Sequence, residues 1–166
     1  MSKKILVAID RSDKMNQCVF QEALDLAKAT GASLKLLHVL SVDEKDSPNI
    51  LTLINTPENK KRWEEFEKVG RELLQSLADS AIAAGVPTEY SQGLGRPGHI
   101  ICDTAKTWGA DLIVIGRRGL SGLSELILGS VSNYVSHYAP CSVLLIQGLP
   151  LRRKGDVREN FMATSA

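Results

Sequence analysis

Four apolar runs and one short, more polar strand segment alternate with helical patterns along the chain, and this alternation limits the possible folds more than any other feature. Between the runs, apolar residues recur at three- and four-residue spacings, which is typical of helices that bury one face. Parallel strands need crossover connections, and right-handed crossovers place helices on both sides of a sheet. The sequence therefore predicts an α/β fold with a mainly parallel sheet covered on both faces. The predicted strands are residues 4–10, 33–40, 88–91, 111–116 and 142–147.

The length and composition fit one globular domain with a short tail. The chain has 166 residues, and a typical domain has roughly 150. Hydrophobic residues make up 43% and charged residues 23%, which argues against disordered and coiled-coil chains. We assign residues 1–148 to a single domain. Residues 149–166 show no period, so we expect a flexible C-terminal tail.

The charge balance and the apolar runs exclude several classes of partner. Lys and Arg total 20 and Asp and Glu total 19, so a net charge of +1 predicts no affinity for nucleic acid. The apolar runs are far shorter than the roughly 20 residues that cross a bilayer. Lys3 and Lys4 resemble the start of a signal peptide, but Asp10 interrupts the apolar stretch that follows. We therefore expect a cytoplasmic protein without a membrane span.

Cysteine, histidine and serine residues occur here without the spacings that are typical of disulfides, zinc sites or nucleophilic serines. The three cysteines form no C-x-x-C pair, so we interpret them as buried, reduced thiols. The histidines form no H-E-x-x-H zinc pair, and the sequence has no G-x-S-x-G nucleophile elbow. Asp111 begins the fourth strand, where a capping or surface role is expected. The residues concerned are Cys18, Cys102 and Cys141, and His38, His99 and His137.

One connection is longer than compact domains usually have. Residues 41–60 join the second strand to the next helix and include an apolar stretch around Leu51 and Ile54. This insert could fold over a ligand site. Alternatively, it packs locally on a helix or at a subunit contact and touches no ligand.

The stretch after the fourth strand has the elements of a phosphate site. It reads Gly116-Arg117-Arg118-Gly119, nine further residues, and then Gly129-Ser130-Val131-Ser132 at the start of a helix. Glycines let backbone N–H groups approach an anion, and a helix N-terminus offers N–H groups at the positive end of its dipole. Other interpretations stay open, because the glycines could serve turn geometry, Ser130 could cap the helix and the arginines could be solvated.

A second glycine pattern is a poorer candidate for nucleotide binding. Gly93-x-Gly95-x-x-Gly98 fits the dinucleotide fingerprint, but it follows the third predicted strand rather than the first, and Pro97 precedes the helix. We expect it to turn the chain into the third helix. The sequence also has no G-x-x-x-x-G-K-[ST] motif, so we do not expect fast ATP hydrolysis.

Three segments together resemble the universal stress protein family over about residues 3 to 147. They are Val7-Ala8-Ile9-Asp10, the spacing Gly116-x-x-Gly119-x(9)-Gly129-Ser130, and the closing Ala139-Pro140-Cys141-Ser142-Val143-Leu144-Leu145. Family members with this motif bind ATP and have a Rossmann-like, open five-stranded parallel sheet in the order 3-2-1-4-5. The resemblance implies the same sheet and an adenine nucleotide, either ATP or ADP or AMP, as the ligand.

The resemblance also implies roles for residues at matching positions. Asp10 would lie near the ribose or a metal ion such as Mg²⁺, and Val39 would offer its main chain to the adenine beside Ala8 and Ile9. Val39 could equally be plain core, and Asp10 could cap the first helix. The ribose and α-phosphate would be held by Gly116, Arg117 and Gly119, and the outer phosphates by Gly129, Ser130, Val131 and Ser132. Some relatives have a small residue where this chain has Arg117, which leaves the number of phosphates open.

Three functions fit these observations. The first is a stress-response or regulatory protein in which adenine nucleotide acts as a switch. The second is a slow ATP hydrolase, and the third is a nucleotide-free, chaperone-like interaction protein. The fifth predicted strand begins at Ser142 and ends at Gln147. We expect it to lie at a sheet edge and, as in the family, to pair with a second copy in a homodimer.

Overall fold

The structure is a computed structural model that describes residues 3–10, 13–41, 56–117 and 128–147. Strands and helices alternate through these residues, as the apolar pattern predicts. The elements are β1 (Lys4–Ile9), α1 (Asp13–Thr30), β2 (Ser33–Ser41), α2 (Pro57–Ala83), β3 (Thr88–Gly95), α3 (Pro97–Trp108), β4 (Leu112–Gly116), α4 (Ser130–Tyr138) and β5 (Ser142–Ile146).

The five strands form one sheet in the order β3-β2-β1-β4-β5, and every neighbouring pair is parallel. This confirms the predicted class and the order that the family resemblance implied. Val7 in the central strand pairs with Leu36 of β2 on one side and Val114 of β4 on the other. The chain winds outward in both directions from β1, so its carboxyl end and that of β4 border the point where the winding reverses. Ligand crevices of open α/β sheets lie at such points.

Helices pack on both faces of the sheet, because successive residues of β1 point to opposite sides. Val7 belongs to a core formed with Val19 of α1 and Leu74 of α2. Leu6 belongs to the other core, which includes Ile101 of α3 and Val135 of α4. All of these side chains except Val19 and Ile101 are fully buried, and those two are nearly so. The prediction of a sheet covered on both faces is therefore confirmed.

Helix α2 packs on the sheet along a stripe that includes a glycine. Its buried residues are Gly70, Leu74, Ala78 and Ala81, whereas the apolar residue Val69 is 60% exposed. A Cβ atom at position 70 would lie 2.5 Å from Gln92 Nε2 and 2.7 Å from His38 Nδ1. The helix therefore approaches the sheet at a glycine, which a search for large apolar side chains cannot detect.

The glycines of the second pattern are packing residues, and two of them lie in a strand. The prediction that β3 is short is wrong, because it continues through Gly93 to Gly95 and pairs with β2 along its length. Gly98 lies inside α3, where a Cβ atom would be 2.6 Å from Tyr134 Cδ1. Only a glycine allows α3 and α4 to come this close. The predicted turn into the third helix therefore spans only the junction between Gly95 and Pro97, and not the whole glycine pattern.

The cysteines are free, as the sequence predicts, although only Cys102 is buried and Cys18 and Cys141 are partly exposed. Burial is the main cause that raises the pKa of Cys102, with smaller contributions from Asp103 and Cys141. Burial, followed by the charge of Asp111, also raises the pKa of Cys141. Both thiols therefore stay protonated at neutral pH, which is unfavourable for a nucleophile or a metal ligand. Within the described residues, no helix is long and apolar enough to cross a membrane.

Candidate functional site

The predicted site residues from separate parts of the chain come together at the carboxyl edge of the sheet. Asp10 directly follows β1, and Arg117 directly follows β4, the neighbouring parallel strand. Helix α4 begins beside them, since Gly129 N–H donates to the Arg117 carbonyl oxygen at 3.0 Å. Residues separated by more than 100 positions in the sequence therefore meet at one edge of the sheet.

Three apolar residues among the predicted site residues share one face of the sheet. Ala8 of β1, Val39 of β2 and Val131 of α4 are half-buried and pack against the core formed with α3 and α4. Ile9 points the other way and is buried in the core formed with α1 and α2. Because of this orientation, Ile9 could contact a ligand at this edge through its main chain but not as an apolar wall.

The exit of β1 is held by Asn16, a residue that the sequence reasoning missed. Asp10 N–H donates to Asn16 Oδ1 at 2.9 Å, and Asn16 Nδ2 donates to the Asp10 carbonyl oxygen at 2.6 Å. Asn16 is only 3% exposed. The Asn16 amide thus makes with Asp10, the first residue after β1, the two hydrogen bonds that a neighbouring strand would otherwise make. A polar residue in the first turn of an amphipathic helix looks like a surface residue in the sequence, so no local signal distinguishes it.

The exit of β4 lies tightly against the first turn of α1. A Cβ atom at Gly116 would be 2.7 Å from Met15 Cγ and 3.1 Å from Met15 Sδ. The glycine is therefore required by helix packing, whatever else it does. Met15 and Asn16 are adjacent, so one helical turn contacts the exits of both strands.

The main chain of Arg117 joins β4 to its two other neighbours. Its N–H donates to the Ile146 carbonyl oxygen of β5 at 2.7 Å. Its carbonyl oxygen accepts the Gly129 N–H and also the Ser132 hydroxyl, at 2.8 Å. The same hydroxyl lies 3.0 Å from the Gly129 carbonyl oxygen, and Ser132 is 2% exposed. The side chain of Ser132 therefore fixes the start of α4, while its backbone N–H stays a predicted phosphate contact.

The N-terminus of α4 has the geometry of an anion site. Gly129 is the N-cap, with φ −59° and ψ 153°, and Asn133 N–H makes the first helical bond to its carbonyl oxygen at 2.8 Å. The N–H groups of Ser130, Val131 and Ser132 precede that bond and have no acceptor within the helix. Ser130 is exposed. Helix dipole and N–H groups together favour a negatively charged ligand.

Other predictions lie partly or wholly outside the described residues. Gly119 is one of these, as are residues 42–55 of the long insert and residues 149–166 of the predicted tail. Asp111 lies at the opposite edge of the sheet, where its carboxylate accepts the Lys4 N–H at 2.8 Å. His38 is buried and hydrogen-bonded to Gln92, as expected of a structural histidine. Within the described residues, no group of three potential metal ligands occurs.

Comparison with known proteins agrees with the fold and with the sequence motifs. Residues 1–147 match the profile of the universal stress protein family. Universal stress protein Sll1388 of Synechocystis is 40% identical over 150 residues, which cover 87% of this chain and 97% of that protein. Universal stress protein YxiE of Bacillus subtilis is 38% identical over 149 residues, covering 89% and 100%. The chain has the doubly wound α/β architecture, and it belongs to the universal stress protein family.

Solved structures show the same architecture. Universal stress protein UspA from Lactobacillus plantarum is 29% identical, with a TM-score of 0.66 and coverage of 87% of this chain and 97% of that one. Two more distant structures have the same fold and hold nucleotides. One is a universal stress protein in complex with cAMP, at 24% identity, TM-score 0.61 and coverage of 89% and 98%. The other is a family protein from Arabidopsis thaliana with AMP bound, at 22% identity and a TM-score of 0.64. That match covers 93% of this chain and 97% of the other.

Proposed function

We propose that this protein binds an adenine nucleotide between the exits of β1 and β4 and acts as a nucleotide-dependent switch in a stress or regulatory response. The observation that carries the proposal is that three predicted parts of the site lie together at the carboxyl edge of the sheet. The N-terminus of α4, the main chain of Arg117 and the residue Asp10 lie at the carboxyl edge of the sheet, where the winding reverses, and ligand crevices of open α/β sheets form at such points. Nucleotide-bound structures with this fold support the ligand class.

The phosphates are assigned to the N-terminus of α4. The backbone N–H groups of Ser130, Val131 and Ser132 and the exposed hydroxyl of Ser130 are the proposed donors, with Gly129 allowing close approach. Gly116, Arg117 and Gly119 complete the proposed contacts to the ribose and α-phosphate. The guanidinium of Arg117 adds a charge-assisted contact that a small residue could not make.

The base and the sugar are assigned to the other side of the crevice. Ala8 and the main chains of Ile9 and Val39 border the proposed adenine position, and the Asp10 carboxylate suits the vicinal hydroxyls of ribose. Mg²⁺ is commonly held by one or two carboxylates together with phosphates and water. Asp10 alone fits that pattern only when a nucleotide supplies the remaining oxygens, so we propose metal binding that depends on ATP.

Retention of the nucleotide, rather than turnover, fits this arrangement. Hydrolysis needs a group that activates water near the γ-phosphate, and the proposal already uses Asp10 for the ribose or the metal. We expect ATP or its products ADP and AMP to remain bound as a regulatory ligand. Slow hydrolysis is the alternative, and it predicts release of phosphate above background on long incubation with Mg²⁺.

The edge strand β5 gives the proposed switch a way to act on a partner. β5 lies at one edge of the sheet, and Leu144 and Leu145 are 36% and 37% exposed. An apolar edge strand can pair with another chain. We propose that the protein is cytoplasmic and that two copies form a homodimer in which their β5 strands pair. The bond from Arg117 N–H to Ile146 joins this strand to the proposed phosphate site. Sedimentation as a monomer at micromolar concentration would contradict the dimer.

The test is titration calorimetry with ATP and Mg²⁺ on the wild type and on Gly129→Leu. The φ and ψ angles of Gly129 suit any L-residue, so leucine can enter without backbone strain and its side chain would obstruct the phosphates. We expect Gly129→Leu to lose measurable binding and to melt cooperatively. The control is Asn133→Leu, at an exposed position one turn further along α4, which should bind like the wild type. Equal affinity for Gly129→Leu and the wild type would contradict the proposed site.

A further inference from the structure

Asn16 makes a pair of hydrogen bonds that strands normally receive from another strand. The pairing of β1 with β2 ends at Ile9, and its pairing with β4 ends at Val7. Asp10 is the next residue, and its N–H and carbonyl oxygen are both bonded to the Asn16 amide. The asparagine thereby extends the ordered backbone by one residue beyond the sheet. That additional residue carries the carboxylate assigned to the ribose.

The environment of Asn16 makes this arrangement rigid. The side chain is almost completely buried, and both of its polar atoms are used by the same peptide segment. The orientation of the amide is also defined, because its oxygen faces a donor and its nitrogen faces an acceptor. The residue before it, Met15, contacts the exit of β4 at Gly116. The first turn of α1 therefore sets where Asp10 lies relative to β4.

We propose that Asn16 is a positioning residue for nucleotide recognition: it holds Asp10 in the orientation in which its carboxylate bonds the vicinal hydroxyls of ribose. This inference rests on the proposed function, and Asn16 acts through Asp10 without touching the nucleotide. Binding sites need such buried support, because a carboxylate on a loosely held backbone loses much of its selectivity.

The consequence can be measured as sugar selectivity. A carboxylate that bonds ribose hydroxyls should favour ATP over 2′,3′-dideoxy-ATP by on the order of tenfold or more. Asp10→Ala should remove that preference. Asn16→Leu, which keeps the size of the side chain but loses both hydrogen bonds, should remove most of it and should affect dideoxy-ATP much less than ATP. The double variant should be no less selective than Asp10→Ala alone, because the two residues act as one unit.

A matched control separates positioning from general stability. Asp111→Ala removes a side-chain bond to the N–H of Lys4, which lies at the other end of β1. We expect this variant to keep the wild-type preference for ATP. Asn16→Ser keeps a smaller hydroxyl that can donate or accept and adds no charge, so it should fold even if Asn16→Leu does not, and should also lose selectivity.

The experiment is calorimetric titration of the full chain, stripped of ligand, with ATP and with 2′,3′-dideoxy-ATP. A loss of selectivity in the Asn16 variants with binding of dideoxy-ATP retained would support the inference. Equal weakening of both ligands, with additive effects in the double variant, would overturn it and leave only a structural role for Asn16. A wild type that binds neither ligand would overturn the proposed function and this inference with it, whereas a wild type that binds both equally would overturn the ribose contact alone.

Discussion

The two ends of strands β1 and β4 are held by different kinds of contact. At the amino end, Lys4 N–H donates to the exposed Asp111 carboxylate at 2.8 Å, and Asp111 N–H donates to the Lys4 carbonyl oxygen at 2.8 Å. The ammonium of Lys4 also donates to the Trp108 carbonyl oxygen. At the carboxyl end, the holding side chains are Asn16 and Ser132, which are neutral and buried.

This difference shows how a protein can fix a backbone and still leave room for a charged ligand. Neutral amide and hydroxyl groups fix the exits of β1 and β4 without adding charge where phosphates would arrive. Preorganised dipoles of this kind need no rearrangement when a ligand binds. Exposed charged contacts hold strands more weakly, because water and salt compete with them. We therefore expect changes at the carboxyl end to have the larger effects.

The largest effect on stability is expected from Gly116→Ala. The new Cβ atom would lie 2.7 Å from Met15 Cγ, and overpacking of this kind costs about 1–3 kcal/mol of unfolding free energy. Urea denaturation of Gly116→Ala, Met15→Ala and the double variant measures the loss. The double variant should be more stable than the sum of the single losses predicts, since the shorter side chain makes room. Additive losses would show that the contact with α1 is not the reason for the glycine.

A smaller loss of unfolding free energy is expected from Ser132→Ala. The variant removes a buried hydrogen bond to the Arg117 carbonyl oxygen, which the Gly129 N–H would still partly satisfy. We expect a loss of about 1 kcal/mol. The matched control is Ser136→Ala, at an exposed residue of the same helix whose hydroxyl donates to the Ser132 carbonyl oxygen. Thermal unfolding that shows equal losses for both variants would contradict the role given to Ser132.

The smallest effect is expected at the amino end. Asp111→Ala removes an exposed hydrogen bond from a carboxylate, and such surface changes alter stability by about 0.5 kcal/mol or less. The loss should shrink further when salt is raised, whereas the loss for Ser132→Ala should not change. Chemical denaturation with urea at low and high salt distinguishes the two. A loss at Asp111 larger than that at Ser132 would reverse the comparison between the ends.

Much of the fold could be predicted from the sequence, because each element has a local pattern. Val114 and its neighbours form an apolar run of the kind that predicts a buried strand, and Gly31, with φ 68°, directly follows α1, where glycines typically end helices. The order of the strands has no local pattern, so it came from the family resemblance. The length of β3 was wrong because Gly93 looks like a turn residue, while in the sheet it pairs with Val39 and lies against Ile100.

The site was predictable only where its residues follow strand ends or form a motif. Asp10, Gly116 and Gly129 could be selected in this way, and the structure places all three at the carboxyl edge of the sheet. Asn16 could not, because its importance comes from its burial and its two bonds to Asp10, and not from its neighbours in the sequence. Ser132 was selected as a phosphate contact, whereas the structure shows its hydroxyl donating to the Arg117 carbonyl oxygen. Tertiary contacts of this kind decide which polar groups remain for a ligand.

The most direct test of the account is to denature the purified protein and identify any released small molecule by mass spectrometry. We expect an adenine nucleotide at close to one molecule per chain, or, if the protein purifies empty, uptake of one ATP per chain with Mg²⁺ in calorimetry. A protein that releases no nucleotide and takes up none would contradict the central claim. The carboxyl edge would then serve the stability of the fold, and the interaction-protein hypothesis would take its place.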